Sequence, residues 1–246
     1  MQVSEVTAAV VTRRPVAQVL AESRRLVEPV YRSVADRFPA EVRTIVGYHA
    51  GWWDADGQAT QDAGKAVRPA LALACARAIT PPEPTGHTEL SQAIVRTAVA
   101  VELVHDFSLL HDDVMDGDLI RRHRPAAWAV FGVGPAILAG DVLLTAAVQQ
   151  ASTAEMVKVM AVAVQELCAG QAADLAFEDR DDVSLAECVA MAQGKTGALL
   201  GAACQLGAMA AGASRKPRTA TAGLAGSSVW PSSSSMIFWV FGVTRG

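Results

Sequence analysis

Between residues 13 and 211 apolar side chains recur at three- and four-residue steps, and short polar or Pro/Gly breaks separate the runs. No stretch of the first 213 residues alternates with the period of two that a half-buried strand needs. That pattern restricts the chain to an all-α fold, a bundle of helices packed on one another. The 246 residues suffice for one large domain, and 51% hydrophobic content with only 5% aromatic describes a core of small aliphatic side chains.

The periodicity predicts a first helix over residues 13–38, with Pro15 near its start and a kink at Pro29, and a second over 40–53, ended by Asp54-Ala-Asp-Gly57. Pro69 opens a third over 70–79. A linker at 81–86 leads to a long helix that starts at Thr88 and delivers Asp112. The run 126–150 is broken at Gly132-Val-Gly-Pro135; a helix follows over 154–177, and another over 184–211, interrupted by Gly194-Lys-Thr-Gly197.

The formal charge of −4 offers no basic field for a nucleic acid, which is not expected as a partner. Cys75, Cys168, Cys188 and Cys204 show no Cys-x-x-Cys spacing and sit in alanine-rich runs, which predicts buried, reduced thiols. The reduced thiols make the expected location cytoplasmic; residues 1–5 lack the layout of a signal peptide, and no uninterrupted apolar run approaches the ~20 residues of a membrane span, so a soluble protein is expected.

Chemistry concentrates between Glu102 and Arg124. At helical period Val99, Leu103, Phe107, Leu110 and Val114 form an apolar stripe, while His105, Ser108, Asp112 and Asp116 form another face. Asp112 and Asp116, one turn apart, place their carboxylates roughly 6 Å from each other, with Asp113 about 100° round the helix. An acidic helix end followed by the basic run Arg121-Arg-His-Arg124 is ordinarily a solvated surface. It can also be a metal site, since an all-oxygen cluster suits Mg²⁺, which completes its shell with water and substrate phosphate. Arginines beside it would grip that phosphate bidentately.

Two further polar sets stand out. Gly64-Lys-Ala-Val-Arg-Pro69 brings Lys65 and Arg68 to a helix N-terminus, which favours anions. Gly170-Gln-Ala-Ala-Asp174 puts Gln171 and Asp174 on adjacent turns of one helix face. Lys195 and Thr196 follow a glycine but lack the spacing of a phosphate-binding P-loop.

The string from Glu102 to Arg122 resembles the first aspartate-rich motif of the trans-isoprenyl diphosphate synthases, or polyprenyl synthetases: a Glu-Leu-x-His helix runs into Asp-Asp-x-x-Asp and then Arg-Arg. The Gly-Lys-x-x-Arg-Pro element, Gly140-Asp141, Gly-Gln-x-x-Asp and Lys-Thr resemble the family too, in order. The resemblance implies an antiparallel bundle around a deep central cavity, and condensation of an allylic diphosphate with isopentenyl diphosphate to a product of C15–C20. Asp112 and Asp116 would bind Mg²⁺, up to three ions in an intact homologue, with Asp113 as a supporting ligand. Arg121 and Lys195 would hold the allylic diphosphate, Thr196 would face the reacting carbon, and Gln171 and Asp174 would line the cavity. Lys65, Arg68 and Arg122 would hold isopentenyl diphosphate, with His105 beside them. Phe107 and Ser108 would floor the pocket for the growing chain; one aromatic with one small residue resembles C20 producers. Packing, capping and function stay open for Asp141. The resemblance also implies a homodimer.

The tail departs from the family, which continues to a second motif of the type Phe-Gln-x-x-Asp-Asp. Residues 227–245 instead read Ser-Ser-Val-Trp-Pro-Ser-Ser-Ser-Ser-Met-Ile-Phe-Trp-Val-Phe-Gly-Val-Thr-Arg. A choice of codons for this segment, read one nucleotide earlier, gives Gln-Leu-Gly-Leu-Ala-Phe-Gln-Leu-Val-Asp-Asp-Leu-Leu-Gly-Ile-Trp-Gly-Asp-Pro. The expectation is an incomplete synthase-like helical domain over 1–226, C-terminally truncated, and an aberrant, frameshifted tail over 227–246. Two other functions stay open: a class I terpene cyclase, which would have no use for Lys65, Arg68 and Arg122, and a non-catalytic subunit or inactive fragment.

Overall fold

A computed structural model describes residues 14–60, 64–80 and 90–213; the linker at 81–86 and the tail at 227–246 lie outside the described residues. Helix α1 (Val16–Ala35) begins after Pro15 and runs through Pro29. Helix α2 (Ala40–Ala50) is shorter than its periodicity implies, because Gly51 takes a left-handed conformation with φ 78° and returns its N–H to Tyr48. Helix α3 (Val67–Ile79) starts three residues before the expected point. Its first turn tolerates Pro69, since the N–H groups there have no helical partner to lose.

The long helix α4 (Gln92–Met115) is started by Ser91, whose hydroxyl accepts from the Ile94 N–H. A two-residue antiparallel hairpin follows, β1 (Ile120–Arg121) with β2 (Arg124–Pro125), a local exception to the all-helical expectation. Next come α5 (Ala127–Phe131) and α6 (Val133–Gln150), divided at Gly132, whose φ of 93° ends one helix and admits the next. Thr153 caps α7 (Ala154–Phe177), and Ser184 with Glu187 forms a reciprocal capping box on α8 (Leu185–Ala192). The expected interruption at Gly194 is a π-helical turn (Gln193–Gly197), after which the helix resumes as α9 (Ala198–Ala210).

Helix α4 is the axis of the bundle, with α1, α3, α6 and α9 packed round it. Val99, Leu103 and Leu110 of its apolar stripe are completely or almost completely buried, as are Leu71 of α3 and Leu143 of α6. Truncating a side chain such as Leu103 to alanine would cost about 2–5 kcal/mol. Small residues set the spacing: Ala98, Ala139 and Ala147 have no exposed surface. Helix α6 qualifies the expectation of no spanning run. Its 18 residues are apolar enough by length and composition to cross a membrane, although α6 here packs against α4. The thiols differ from expectation as well: Cys204 is buried and Cys75 half-buried, whereas Cys168 and Cys188 are exposed, and all four are free.

Candidate active site

At the C-terminal end of α4, the α7 helix and the π-helical turn converge on Asp112 and Asp116. Lys195 Nζ lies 2.6 Å from Asp174 Oδ2, 3.0 Å from Asp112 Oδ1 and 3.5 Å from Asp116 Oδ2, and Gln171 donates its Nε2 hydrogen to Asp116 Oδ1 at 2.8 Å. Five of the polar residues singled out in the sequence therefore meet at one point. Burial works to lower the Lys195 pKa, but its bonds to Asp174 and Asp112 overcome this and raise it well above the ordinary lysine range. The Asp112 carboxyl is pushed up by burial, which outweighs Lys195. Thr196 is exposed beside this cluster and lines the same cavity.

Two glycines, one from each of these motifs, make the approach possible. A Cβ on Gly170 would fall 2.1 Å from the backbone nitrogen of Lys195, and one on Gly194 would fall 2.8 Å from the Glu166 carbonyl oxygen. Only glycine lets α7 and the π turn come close enough for Lys195 to reach Asp112. The signal was the pair Gly170 and Gly194, each next to a polar residue of its motif.

Asp113 departs from its expected position among the ligands. It is 1% exposed and turned from the Asp112–Asp116 face, and it accepts from Arg121 Nε at 2.7 Å as well as from Arg121 Nη2. Arg121 also stands 3.8 Å from Asp112 and 3.7 Å from Asp118. Burial works to lower the Arg121 pKa, but the Asp113 bond more than compensates and raises it. Asp113 thus orients Arg121 toward the cluster instead of contributing a third oxygen to it.

Halfway along α4 lies a second set. Arg68 Nη1 is 2.9 Å from His105 Nε2, and Arg122, at φ 51°, extends its guanidinium to 3.0 Å from where a Cβ on Gly64 would sit. The glycine of the Gly-Lys-x-x-Arg-Pro element is thus the space that Arg122 occupies. Lys65, next along, is exposed. Two acids missed in the sequence lie against these cations. Burial, then the charge of Asp106, pushes the Glu102 carboxyl up to about 8 against the pull of Arg68 and Arg122. Asp106 accepts from the Tyr31 hydroxyl at 2.7 Å and lies 3.6 Å from His49; burial would raise its pKa, but His49, His105 and Arg122 bring it down to about 2. Burial and then Arg68 lower His105 to about 3, so its ring is neutral. The clue was present in Glu102 and Asp106, one turn apart and in helical register with Asp113.

The two sets open into one cavity of about 310 Å³. Arg68, His105, Asp112, Lys195 and Thr196 line its polar part, and Phe107, Ser108, Leu167 and Leu175 its apolar part, with the Phe107 ring 4.7 Å from that of His111. The exposed Asp141 carboxylate lies 3.7 Å from His111, and a Cβ on the adjacent Gly140 would fall 2.3 Å from the same imidazole.

The donor set fits Mg²⁺ on one observation, that the Lys195 ammonium already takes the position of a cation shared by Asp112 and Asp116. Among the described residues no three His, Cys, Asp or Glu side chains are grouped closely enough to hold a metal ion unaided.

Comparison with known proteins places this geometry in context. Residues 56–226 match the family model described as Polyprenyl synthetase. The chain is 43% identical over 216 residues to a (2E,6E)-farnesyl diphosphate synthase of Mycobacterium bovis, a match covering 85% of this chain and 58% of the relative. It is 41% identical over 203 residues to a geranylgeranyl diphosphate synthase of Mycobacterium tuberculosis, covering 79% of this chain and 56% of that one. The crystal structure of a polyprenyl synthetase from Streptomyces coelicolor A3(2) superposes with a TM-score of 0.75 at 42% identity, over 82% of this chain and 59% of that one. The chain thus spans less than two thirds of the length of each of these relatives.

Proposed function

The chain belongs to the polyprenyl synthetase family, and from that premise we propose that its cavity is built for prenyl transfer from an allylic diphosphate to isopentenyl diphosphate. The observation that carries this reading is the meeting of Asp112, Asp116 and Lys195 at one end of a cavity whose other residues include Arg68 and His105 and an apolar floor at Phe107. Such a site has charge for two diphosphates and a dry place for a hydrocarbon tail.

On this reading Lys195 and Arg121 bind the allylic diphosphate, Gln171 fixes the Asp116 carboxylate, and Asp174 tethers Lys195 between turnovers. Mg²⁺ held by Asp112 and Asp116 would neutralise charge on the departing diphosphate. Leu167 and Phe107 exclude water from the allylic cation left behind, which water would quench. Lys65, Arg68 and Arg122 grip isopentenyl diphosphate, with neutral His105 as a hydrogen-bonding partner, and so hold its double bond where the cation forms. Phe107 and Ser108 limit the product, for which we favour C20. The exposed Val133, Leu138 and Val148 of α6 support a homodimer through that helix.

The test is incubation with Mg²⁺, radiolabelled isopentenyl diphosphate and, in turn, dimethylallyl, geranyl and farnesyl diphosphates. It is run on the 246-residue chain and on a chain whose residues 227–245 are recoded to the alternative reading. Label should enter a C20 product. The recoded chain should be faster by about a thousandfold, the scale of losing charge stabilisation of a departing group. Unlabelled cyclic hydrocarbon as product would overturn the proposal in favour of a cyclase, and absence of label from every product of both chains would overturn it outright.

A further inference from the structure

Helices α3 and α9 cross closely, for a Cβ on Gly207 would lie only 2.0 Å from the Ala72 carbonyl oxygen. Cys75 follows Ala72 by three residues, and Cys204 precedes Gly207 by three. In helices running antiparallel those offsets bring both cysteines about one turn to the same side of the crossing. The thiols do meet there. The hydrogen bond from Cys204 holds the Cys75 thiol below its ordinary pKa, and the same contact, with burial, pushes Cys204 up. Cys204 is buried and Cys75 half-buried, both are free, and neither lines the cavity described above.

We propose that Cys75 and Cys204 are an oxidisable dithiol, which a small-molecule disulfide such as oxidised glutathione converts to an intrachain disulfide joining α3 to α9. Cys75, the more accessible thiol, gives up its proton and attacks one sulfur of the oxidant, whose S–S bond breaks as the first glutathione thiolate leaves and is protonated. Cys204 then loses its proton and attacks Cys75 Sγ, expelling the second glutathione. Two protein thiols have lost two electrons and two protons, and the oxidant has become two thiols.

The site is independent of the substrate reading, but its position gives it leverage. Helix α3 begins one residue before Arg68, and α9 begins directly after the turn that carries Lys195, so the bond ties the two cation-bearing segments together. It also closes a long loop of chain, the case in which a cross-link restrains the unfolded state most.

The experiment is to incubate the full chain with oxidised glutathione, block remaining thiols, digest with trypsin without reductant and map the peptides by mass spectrometry. The expected result is residues 66–77 linked to residues 196–215, separated by reductant, with a rise in Tm of about 5–10 °C for the oxidised chain. In Cys204→Ser, and reciprocally in Cys75→Ser, the link should vanish, and Cys75 in the first should appear as a glutathione adduct. The exposed Cys168 and Cys188 are internal controls that should carry adducts in every sample. Recovery of Cys75 in the unsubstituted chain only as an adduct, or of Cys75 and Cys204 both unmodified while the controls react, would overturn the proposal.

Discussion

Helix α4 carries two pairs of carboxylates, each pair one turn apart, and treats them in opposite ways. Glu102 and Asp106, at mid-helix, face Arg68, Arg122, His49 and His105 in an enclosure where Glu102 is driven up to about 8 and Asp106 down to about 2. Asp112 and Asp116, at the helix end, share the single ammonium of Lys195 within reach of solvent. In the inner pair the counter-charges are fixed by burial, so the cations are held in place before any ligand arrives. In the outer pair the counter-charge sits on a flexible stem and can be exchanged for another cation. Identical chemistry at identical spacing therefore yields a rigid anchor in one place and an exchangeable one in the other, and the variable is access to water.

The largest effect should come from breaking the inner pair. Arg68→Met leaves the buried Asp106 carboxylate short of a positive partner, and the expected cost is about 3 kcal/mol of stability, measured by urea denaturation, together with loss of isopentenyl diphosphate binding. A stability unchanged by this substitution would mean that the inner charges are solvated and that the contrast is false.

Breaking the outer pair should give the reverse signature. Asp112→Asn is expected to slow prenyl transfer by about 10²–10³-fold while the melting temperature stays level or rises, because Lys195 keeps Asp116 and Asp174 and one repulsion is relieved. A large fall in melting temperature would instead assign Asp112 a structural role. Gly170→Ala sharpens the same point through the backbone. The added Cβ meets the Lys195 nitrogen, so a loss of about 1–3 kcal/mol should accompany loss of diphosphate binding, even though no charged group has changed.

The pH dependence separates the pairs more finely. Glu102 has its pKa raised from 4.5 to about 8, so the folded chain keeps a proton that the unfolded chain releases between those values, and this contribution to stability is lost as pH rises through that window. His105 is lowered from 6.5 to about 3, so its contribution is present above 6.5 and is lost as pH falls toward 3. Thermal melts of Glu102→Gln should show a flattened alkaline decline and an unchanged acid limb. The smallest effect is one of selectivity. Phe107→Ala should deepen the floor and lengthen the product, read by chromatography of the released alcohols; an unaltered distribution would remove Phe107 from the floor.

The helical class, the breaks at Gly132 and Gly194, and most polar members of the site were legible because periodicity and motif spacing act locally. Lys195, Gln171 and Asp174 could be named as candidates, but their convergence on Asp112 depends on how α7 crosses the following turn, which no single segment encodes. Asp113 differs from expectation for a related reason. Its place on the helix wheel was right, but the arginine that claims it returns through a hairpin centred on Arg122 and His123 with positive φ, a conformation that nothing in those residue types announces. Glu102 and Asp106 went unassigned because their partners, Tyr31, His49 and Arg68, lie far away in the chain.

The π-helical turn can also be seen as a slip of phase. A continuous α-helix from Leu185 to Ala210 would carry every side chain forward by about 100° per residue, and the wider turn, in which the Ala198 N–H returns to Gln193, accommodates one residue more than that rhythm allows. Everything before the turn is rotated relative to everything after it, so α8 can lie against α7 while α9 presents its apolar side to α3 and α4. Lys195 sits within the slip, aimed where neither half of the helix alone would send it. Removing a single residue between 193 and 197 would restore a regular helix, leave every polar group of the site in the sequence except the one deleted, and turn the ammonium away from the aspartates it now serves.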